Sequence, residues 1–394
     1  GQERNMRPPH RLFAPGVLER PARGRRWFHG LSLLFAATLL LTACGGSPTA
    51  SSEGGGGDAD PDSVKQAMKV YEKFNSMSGE ERHRALVKAA EEEGELSIYT
   101  SNDDIEDLIS VFEDTYDIDV EVYRANSETV LQRLLQEQKA GYYGSDVFET
   151  NAGELNVANQ QGMLADYRSE LRDQVSERGL GDGWTASRYN VFVVGWNDNL
   201  VSSDSRPQNL EELAAPEWRG KVSMELGDFD WFAAMYRYYL EQGKSDAEIK
   251  QLFREIASNS KVVKGHTTQG ELLSAGQFSV VTSSYSHTID QAEAEGAPVK
   301  WRPPVEPVVL RPNGIGLMKT AKNPAAATLF VDFELTAGQK IFHDQYRLGA
   351  IQNGENPLDG LEVISTPDDE LVAHPTKWDR LYAEIVRQGQ EIEE

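Results

Sequence analysis

The sequence predicts an α/β protein of two lobes, built from parallel-rich sheets with helices on both faces. Three strand-like segments, residues 95–100, 118–124 and 145–150, each lead into a segment with helical spacing of its apolar residues. Such alternation favours parallel strands joined by crossover helices. About 330 residues follow Asp62, a length that suits two globular lobes better than one core.

Residues 1–43 have the pattern of a signal peptide. They carry seven arginines against two glutamates, and the uncharged segment 31–43 has 13 residues. A helix of that length is too short to cross about 30 Å of hydrocarbon. The paired Arg25 and Arg26, followed by Phe28, also fit a twin-arginine leader, so the export route stays open between that and the general pathway.

The only cysteine of the chain, Cys44, follows Leu41, Thr42 and Ala43. This order resembles a bacterial lipobox, in which the cysteine carries lipid and becomes the first residue. A free cysteine in an ordinary signal anchor is the alternative. Residues 44–62 are rich in Gly, Ser and Asp and suit a flexible tether, which favours lipidation.

Two helices are predicted in residues 63–94, before the first strand. The first has apolar residues on one face, and the second begins at Ser78, whose spacing to Glu81 fits a capping box. Gly94 is a predicted end for the second helix.

The rest of the chain is predicted to form the body of the two lobes. We expect lobe I at 95–188, lobe II at 189–311, a return to lobe I at 312–360 and a C-terminal helical segment at 361–394. Long apolar strands at 189–197 and 307–319 are expected to connect the lobes. Between them lie a strand near 221–226, helices at 230–243 and 245–258, and two strand–loop–helix units at 261–276 and 278–298. Two helices follow in 323–346 and an amphipathic one in 376–389.

Charge and composition exclude several classes of function. Residues 44–394 contain 32 basic and 61 acidic side chains, a formal net charge of −29, which disfavours binding to nucleic acid. No cysteine remains after Cys44 for a disulfide, a thiolate metal site or a nucleophile. Sequence motifs of serine hydrolases, zinc proteases and nucleotide-binding enzymes are missing, and no resident cofactor is predicted. The pair Asp228 and Asp230 leaves a carbohydrate-active enzyme as an alternative.

Several ordered segments carry a family resemblance over residues 88–346: GELSIYTS, SDVFET, GWN, PEWRGKV and PNGIGLMKTAKNPAAATLFVDFELTAGQ. They resemble the extracellular solute-binding proteins of ABC importers, in particular the ferric-iron-type branch with its polyamine, thiamine and phosphonate relatives. The resemblance implies a type II periplasmic-binding-protein fold with a ligand cleft between the lobes. It also implies a monomeric, membrane-anchored extracytoplasmic receptor that delivers a small-molecule solute to a permease and an ATPase, and not an enzyme.

Candidate ligand-binding residues follow from the rule that ligands lie beyond the carboxyl ends of strands in such sheets. Each Ser, Thr or Asn among them has an alternative role as a helix cap or turn former. Trp231 either stacks on a ligand or is a core aromatic. The predicted set is Ser101, Asn102, Asn126, Ser127, Asn151, Asp230, Trp231, Thr267, Thr268, Ser283, Ser284 and Tyr285.

The resemblance also implies where a ferric site would lie. Its His, Glu and two Tyr positions fall on Asn102, Asn151, Tyr285 and Ser286, so only Tyr285 matches. Tyr285 with His287 and Asp230 remains an alternative iron site, since Fe(III) prefers phenolate and carboxylate oxygen. The Ser-, Thr- and Asn-rich loops instead favour an organic anion or a phosphorylated or phosphonate compound.

Overall fold

The computed structural model describes residues 61–351, 357–374 and 376–391. The predicted signal peptide, Cys44 and most of the predicted tether lie outside this part of the chain. None of the helices described is long and apolar enough to cross a membrane. The α-helices are α1 (Pro61–Asn75), α2 (Gly79–Glu93), α3 (Ile105–Thr115), α4 (Ser127–Lys139), α5 (Ala152–Gln160), α6 (Phe229–Glu241), α7 (Asp246–Ser258), α8 (His266–Ser274), α9 (Ser286–Ala294), α10 (Pro324–Glu334), α11 (Ala337–Asp344), α12 (Asp368–Ala373) and α13 (Lys377–Glu391).

The strands form one long mixed sheet that passes through both lobes. Its main path runs β2-β1-β3-β11-β6-β9-β7-β8. The bounds are β1 (Glu95–Thr100), β2 (Asp119–Arg124), β3 (Val147–Asn151), β4 (Leu164–Ala165), β5 (Leu180–Gly181), β6 (Trp184–Asn197), β7 (Val222–Glu225), β8 (Ser260–Val263), β9 (Val280–Tyr285), β10 (Val299–Lys300), β11 (Val308–Met318), β12 (Leu348–Gly349) and β13 (Val363–Ser365).

Parallel pairing dominates the two ends of this sheet and antiparallel pairing its middle. β1 pairs in parallel with β2 and β3, and β7 pairs in parallel with β8 and β9. Between these two groups lie β6 and β11, which are antiparallel to each other and to their outer neighbours. The structure therefore confirms the predicted two-lobed α/β fold of type II.

β6 and β11 are the strands that cross between the lobes. β11 pairs with β6 through Val309–Ile315, but only its second part, Asn313–Leu317, also pairs with β3 of lobe I. Its two halves therefore belong to different lobes. β6 begins at Trp184, five residues before the predicted start at Tyr189. The prediction was short because Ser187 and Arg188 interrupt the apolar pattern. Both are nevertheless fully buried in the strand.

The N-terminal helices pack against lobe I. Tyr71 of α1 donates to the Met318 carbonyl at 2.9 Å, and α2 lies against α10, where Arg82 forms a buried ion pair with Asp332. Gly94 ends α2 in the left-handed region, φ 72°, as predicted. The capping-box prediction at Ser78 was wrong, because its side chain makes no cap hydrogen bond.

The C-terminal segment packs mainly on lobe II. β13 adds in parallel to the lobe II half of β11, and α13 lies against α6 and α7. Trp378, Tyr382 and Ile385 of α13 share a buried apolar cluster with Phe232 and Phe253. The hydroxyl of Tyr382 donates to the Glu225 carbonyl at 2.7 Å. This helix therefore supports the strand end from which one side of the cleft is built.

Candidate functional site

Polar side chains occupy neighbouring positions on the three central strands. Asn313 of β11 is paired in register with Asn151 of β3 on one side and with Arg188 of β6 on the other. Arg188 and Asn313 are almost completely buried. Charged and amide groups are rarely buried without partners, so this row indicates a site rather than a core.

Arg188 lies between two buried glutamates. Its guanidinium donates to the Glu149 carboxylate, and the other Glu149 oxygen accepts from the Thr100 hydroxyl at 2.6 Å. Burial, together with the charge of Glu149, raises the pKa of Glu334 well above its usual value. Burial thus favours the protonated form of Glu334, and the charge of Glu149 is balanced by Arg188.

A second arginine, Arg347, joins the start of α3 to the chain segment that follows α11. It donates to Asp103 at 2.6 Å and to Asp104 at 2.7 Å, and its own side chain is only 3% exposed. The amide of Gln345 donates to the Asp104 carbonyl and to Asp107, each at 3.0 Å. These bonds hold the lobe I rim of the cleft in one arrangement.

The lobe II side begins at the carboxyl end of β7. Glu225 accepts a hydrogen bond from the Gly265 amide at 2.7 Å, and Asp228 accepts from Ser283 and contacts the ring nitrogen Nε2 of His266 at 2.8 Å. His266 is the first residue of α8 and follows Gly265, whose φ of 93° favours glycine. This turn aims the imidazole back at the acidic pair.

Tyr285 and Arg311 complete the lobe II side. Arg311 of β11 pairs with Asp230 at 2.8 Å and also donates to the Tyr285 hydroxyl. The Tyr285 ring packs against two imidazoles, with centroid separations of 4.0 Å to His266 and 5.4 Å to His287. The Arg311 guanidinium lies over the same ring, 5.3 Å from its centroid, so these contacts fix the position of Tyr285.

The protonation of the two histidines differs because their charged neighbours differ. Burial lowers the pKa of His287 well below its usual value, and the charges of Arg347 and Arg188 lower it further. Burial also disfavours the charged form of His266, but the Asp228 carboxylate outweighs it and the pKa is raised. Hence His287 is neutral at neutral pH, whereas His266 keeps its ring proton to higher pH than an isolated histidine does.

Several buried polar atoms around the cleft have no hydrogen-bond partner within the part of the chain that the structure describes. Most of them are nitrogen donors or a hydroxyl, and they come from both lobes and from the strands that connect them. They are Asn102 Nδ2, Arg188 Nε, His266 Nδ1, Ser284 Oγ, Arg311 Nε, Asn313 Nδ2 and Arg347 Nε. Neighbouring acceptors without a partner are fewer: Asn190 Oδ1, Gln269 Oε1, Gln345 Oε1 and the two oxygens of the Glu334 carboxyl, whose pKa is raised by burial.

The predicted lobe I residues lie at the ends of β1, β2 and β3. Asn102 is buried, and its Oδ1 accepts from the Asp104 amide at 3.1 Å, whereas Ser101 bonds to the hydroxyl of Thr150 at 2.9 Å. Asn126, not Ser127, is the N-cap of α4, accepting from Thr129 at 2.9 Å. Asn151 is the N-cap residue of α5 but makes no side-chain cap bond, which leaves its amide for another partner.

The predicted lobe II residues divide into cleft and non-cleft positions. Ser283, Ser284, Tyr285 and Asp230 belong to the network described above. Thr267 and Thr268 are exposed in the first turn of α8. Trp231 is 3% exposed and packs edge-on against Phe253. It is therefore a core aromatic of lobe II and does not stack on a ligand.

One group of residues has metal-ligand chemistry. Single ligand atoms of Glu225, Asp228 and His266 lie within 4.8 Å of one another. Their oxygens and Nε2 already accept or share hydrogen bonds with Gly227, Gly265, Ser283 and each other. We therefore assign this group as a hydrogen-bond network and not as metal ligands.

Four residues central to this site were missing from the predicted set: Arg188, Arg311, Asn313 and Arg347. The first three interrupt otherwise apolar strands, and a charge within an apolar strand is a usable signal for a paired buried group. Arg347 follows a helix in a polar segment and carries no such signal.

The chain matches known proteins at the level of family and fold. A family model described as bacterial extracellular solute-binding protein matches residues 146–360. An uncharacterized protein of Haemophilus influenzae is 22% identical over 273 residues, 65% of this chain and 78% of that protein. A structure of the periplasmic binding protein AfuA from Actinobacillus pleuropneumoniae, with fructose-6-phosphate bound, superposes with a TM-score of 0.64 and 21% identity, covering 75% of this chain and 98% of that one.

Iron-bound HitA from Pseudomonas aeruginosa gives a TM-score of 0.62 with 16% identity over 74% of this chain and 99% of that one. These similarities agree with the fold and with the predicted resemblance to the ferric-iron-type branch. Because the family model covers more than half of the sequence, the chain belongs to the bacterial extracellular solute-binding proteins.

Proposed function

We propose that this protein is a membrane-anchored receptor that captures a small organic anion, best a phosphate ester or a phosphonate. The solute lies in the cleft, and closure of the lobes retains it until an ABC permease and its ATPase receive it. The observation that carries this proposal is the surplus of buried donors in the cleft that lack an acceptor among the described residues.

A buried N–H group without a partner costs about 1–3 kcal/mol, so several together are tolerated only where something else accepts their hydrogen bonds. An oxyanion supplies several acceptor oxygens at once and also balances arginine charge. Asn102 and Arg347 contribute from lobe I, and His266 and Ser284 from lobe II. A solute that engages both sets stabilises the closed state by its differential affinity.

The helix ends strengthen the preference for an anion. The N-cap residues of α5 and α9, Asn151 and Tyr285, make no side-chain cap hydrogen bond. No N-cap side chain therefore competes for the first amides of those helices, and the helix dipole favours negative charge beside them. The fructose-6-phosphate bound to AfuA shows that this fold accommodates a phosphate ester.

Further parts of the proposal concern the setting of the receptor. Lipidation of Cys44 would anchor it at the outer face of the cell membrane as a monomer, with the tether of 44–62 between lipid and lobes. The family consists of binding proteins, which supports a role without catalysis. Asp228 and Asp230, which suggested a carbohydrate-active enzyme, are each engaged by a cation, His266 and Arg311 respectively.

Ferric iron bound by a non-standard ligand set is the second candidate. The presence of Tyr285 in the cleft and the iron of HitA favour it. Burial opposes it, because burial raises the pKa of Tyr285 above its usual value and so disfavours phenolate, while the charge of Arg311 acts in the other direction. Arg311 also donates to the Tyr285 hydroxyl oxygen, which a metal ion would have to share.

A ligand screen on the purified protein separates these candidates. We expect fructose 6-phosphate or another phosphate ester to raise the melting temperature, because a ligand at 100 times its Kd adds about 2.7 kcal/mol of stability. Sulfate, citrate and Fe(III) are run in parallel, and recovered ester is checked for turnover. A red tyrosinate–iron band that disappears in Tyr285→Phe, with no response to any ester, would replace the anion proposal by the iron one.

A further inference from the structure

We infer that His266 binds the anionic group of the solute as an imidazolium, so that loss of its ring proton weakens binding of the solute. This inference rests on the proposed function and identifies the group that would make capture depend on pH.

The imidazole of His266 is held in one orientation. Nε2 contacts Asp228 at 2.8 Å, and the other oxygen of that carboxylate accepts from Ser283. The ring packs against Tyr285 at 4.0 Å and against Phe192 at 5.8 Å between centroids. With Asp228 pinned by Ser283, rotation of the ring would break both the hydrogen bond and the stack.

The other ring nitrogen, Nδ1, is buried and has no partner among the residues described. An imidazolium donates from both nitrogens, and Asp228 takes only the Nε2 proton. The Nδ1 proton then needs an acceptor that the described part of the protein does not supply. Two other buried donors also lack a partner among the described residues: Ser284 Oγ of lobe II and Arg311 Nε of a crossing strand. One oxyanion can accept from such donors together.

The elements packed around His266 contribute charged or titratable groups, except β6, which contributes the Phe192 ring. β7 and the loop after it bring Glu225 and Asp228, whose negative charges favour the imidazolium. β11 brings Arg311, whose charge opposes it. β9 and α9 bring Tyr285 and His287. Burial raises the pKa of Tyr285 and lowers that of His287, so both are neutral around neutral pH.

The direction of the pH effect follows from these groups. Below the raised pKa of His266 the site holds its cation, and as pH increases through that pKa the cation is lost while Asp228 remains charged. Burial and the neighbouring Asp228 also raise the pKa of Glu225, so acid removes a negative charge from the same place. Both changes favour anion binding at lower pH, with a midpoint above the ordinary histidine value of about 6.5.

The test compares the wild-type protein and His266→Gln across pH, with fructose 6-phosphate as the probe. Titration calorimetry gives Kd for both proteins at each pH. Ionisation of the ester affects both Kd values equally, so it does not change the ratio of the variant Kd to the wild-type Kd. We expect the variant to bind about 10-fold or more weakly at low pH, and the ratio to fall toward one at high pH. His343→Gln is the matched control, since His343 also has an aspartate beside it, at 3.6 Å, but is 88% exposed.

Two further measurements separate a charge effect from a structural one. Nuclear magnetic resonance titration of the histidine ring protons should show one signal, absent in His266→Gln, whose pKa matches the midpoint of the affinity curve. Asp228→Asn removes the positioning carboxylate and should move that midpoint to lower pH.

A Kd ratio that stays constant with pH, while wild-type protein binds the ester, overturns the inference and leaves the proposed function intact. The inference is equally overturned if His266→Gln does not fold and no wild-type histidine titrates with the affinity curve. Failure of the wild-type protein to bind any anion in the screen removes the proposed function, and the inference with it.

Discussion

Two regions of this molecule bury arginine beside carboxylate, but they use the arginine differently. At the back of lobe I, each of the three guanidinium nitrogens of Arg82 donates within the protein, Nε to the Phe74 carbonyl and the other two to Asp332. The Tyr167 hydroxyl donates to the same carboxylate at 2.6 Å. Every guanidinium nitrogen of this cluster therefore has a partner within the protein.

The arginines of the cleft are equally buried but incompletely bonded. Arg188, Arg311 and Arg347 each form an ion pair and each keep an Nε without a partner among the described residues. Ion pairs alone therefore do not distinguish a structural cluster from a binding site. Several unused guanidinium donors in one place do, because burying them together is costly unless a ligand accepts their hydrogen bonds.

The largest expected effect is at the satisfied arginine. Arg82→Leu leaves Asp332 charged and buried without its cation, and loss of one partner of a buried pair costs about 3–5 kcal/mol. We expect the free energy of unfolding, measured with urea, to fall by that amount, while affinity for the solute stays within twofold.

Arg84→Leu is the control on the same helix. Arg84 is 72% exposed and lies 3.9 Å from Glu80, a pair whose loss should cost no more than about 0.5 kcal/mol. Equal losses in the two variants would show that the Arg82 cluster does not stabilise the N-terminal helices as described.

Much of the fold was predictable because it depends on periodicity. Both crossing strands, the alternation of strand and helix and the Gly94 helix end follow from local patterns that tertiary packing preserves. The misses arise where a polar group is buried. β6 was predicted five residues too short because Ser187 and Arg188 are polar. Their burial depends on partners distant in the sequence, such as Glu149 for Arg188, which a local pattern does not show.

The candidate site was predicted only in part for the same reason. The rule that ligands lie beyond strand ends locates Asn102, Asn151 and Ser284. It cannot locate Arg311 or Asn313, which lie within an antiparallel strand that runs through the cleft. Trp231 shows the converse case, since a position near a strand end does not determine which way a side chain points, and this one packs in the core.

Removal of an incompletely bonded arginine should affect binding more than removal of any uncharged residue in the cleft. Arg311→Leu deletes a charge-assisted donor, an interaction worth about 1.5–3 kcal/mol, which is roughly 10- to 150-fold in Kd for fructose 6-phosphate. Arg311→Leu alone leaves the Asp230 carboxylate buried without its cation, which lowers stability. The double variant Arg311→Leu, Asp230→Asn removes that charge, so it should recover stability without recovering affinity. Recovery of both would mean that Arg311 only neutralises Asp230. Arg219→Leu, at an exposed position, serves as the control for calorimetry.

A smaller effect is expected where the lobes touch. Gln291 of α9 donates to the Gln345 carbonyl at 3.1 Å and to Asp104 at 3.4 Å, both on lobe I. Gln291→Ala removes these bonds from the closed form. The bond to Asp104 is long and weak, so the loss is about that of one hydrogen bond, about 0.5–1.5 kcal/mol, and dissociation of the solute should be up to about 10-fold faster. Stopped-flow measurement of dissociation tests this, with the exposed Gln251→Ala as control. An unchanged rate would show that this contact does not hold the lobes closed.

The smallest effect concerns backbone strain beside the same contact. Tyr346 has a φ of 60°, the only described non-glycine residue in the left-handed region, and its side chain is 49% exposed. It ends α11, where Arg347 donates its amide to the Phe342 carbonyl at 2.8 Å in the arrangement that favours glycine. The left-handed region costs a residue with a side chain about 1–2 kcal/mol, and glycine avoids this cost. Glycine also makes the unfolded chain more flexible, which lowers the stability by about 0.4–1 kcal/mol. Tyr346→Gly should therefore raise the free energy of unfolding by about 0.5–1 kcal/mol in urea.

If the same variant binds the solute more weakly, the tyrosine ring serves the cleft and its strain is retained for binding. A loss of stability instead would mean that contacts of the ring outweigh the strain at this turn.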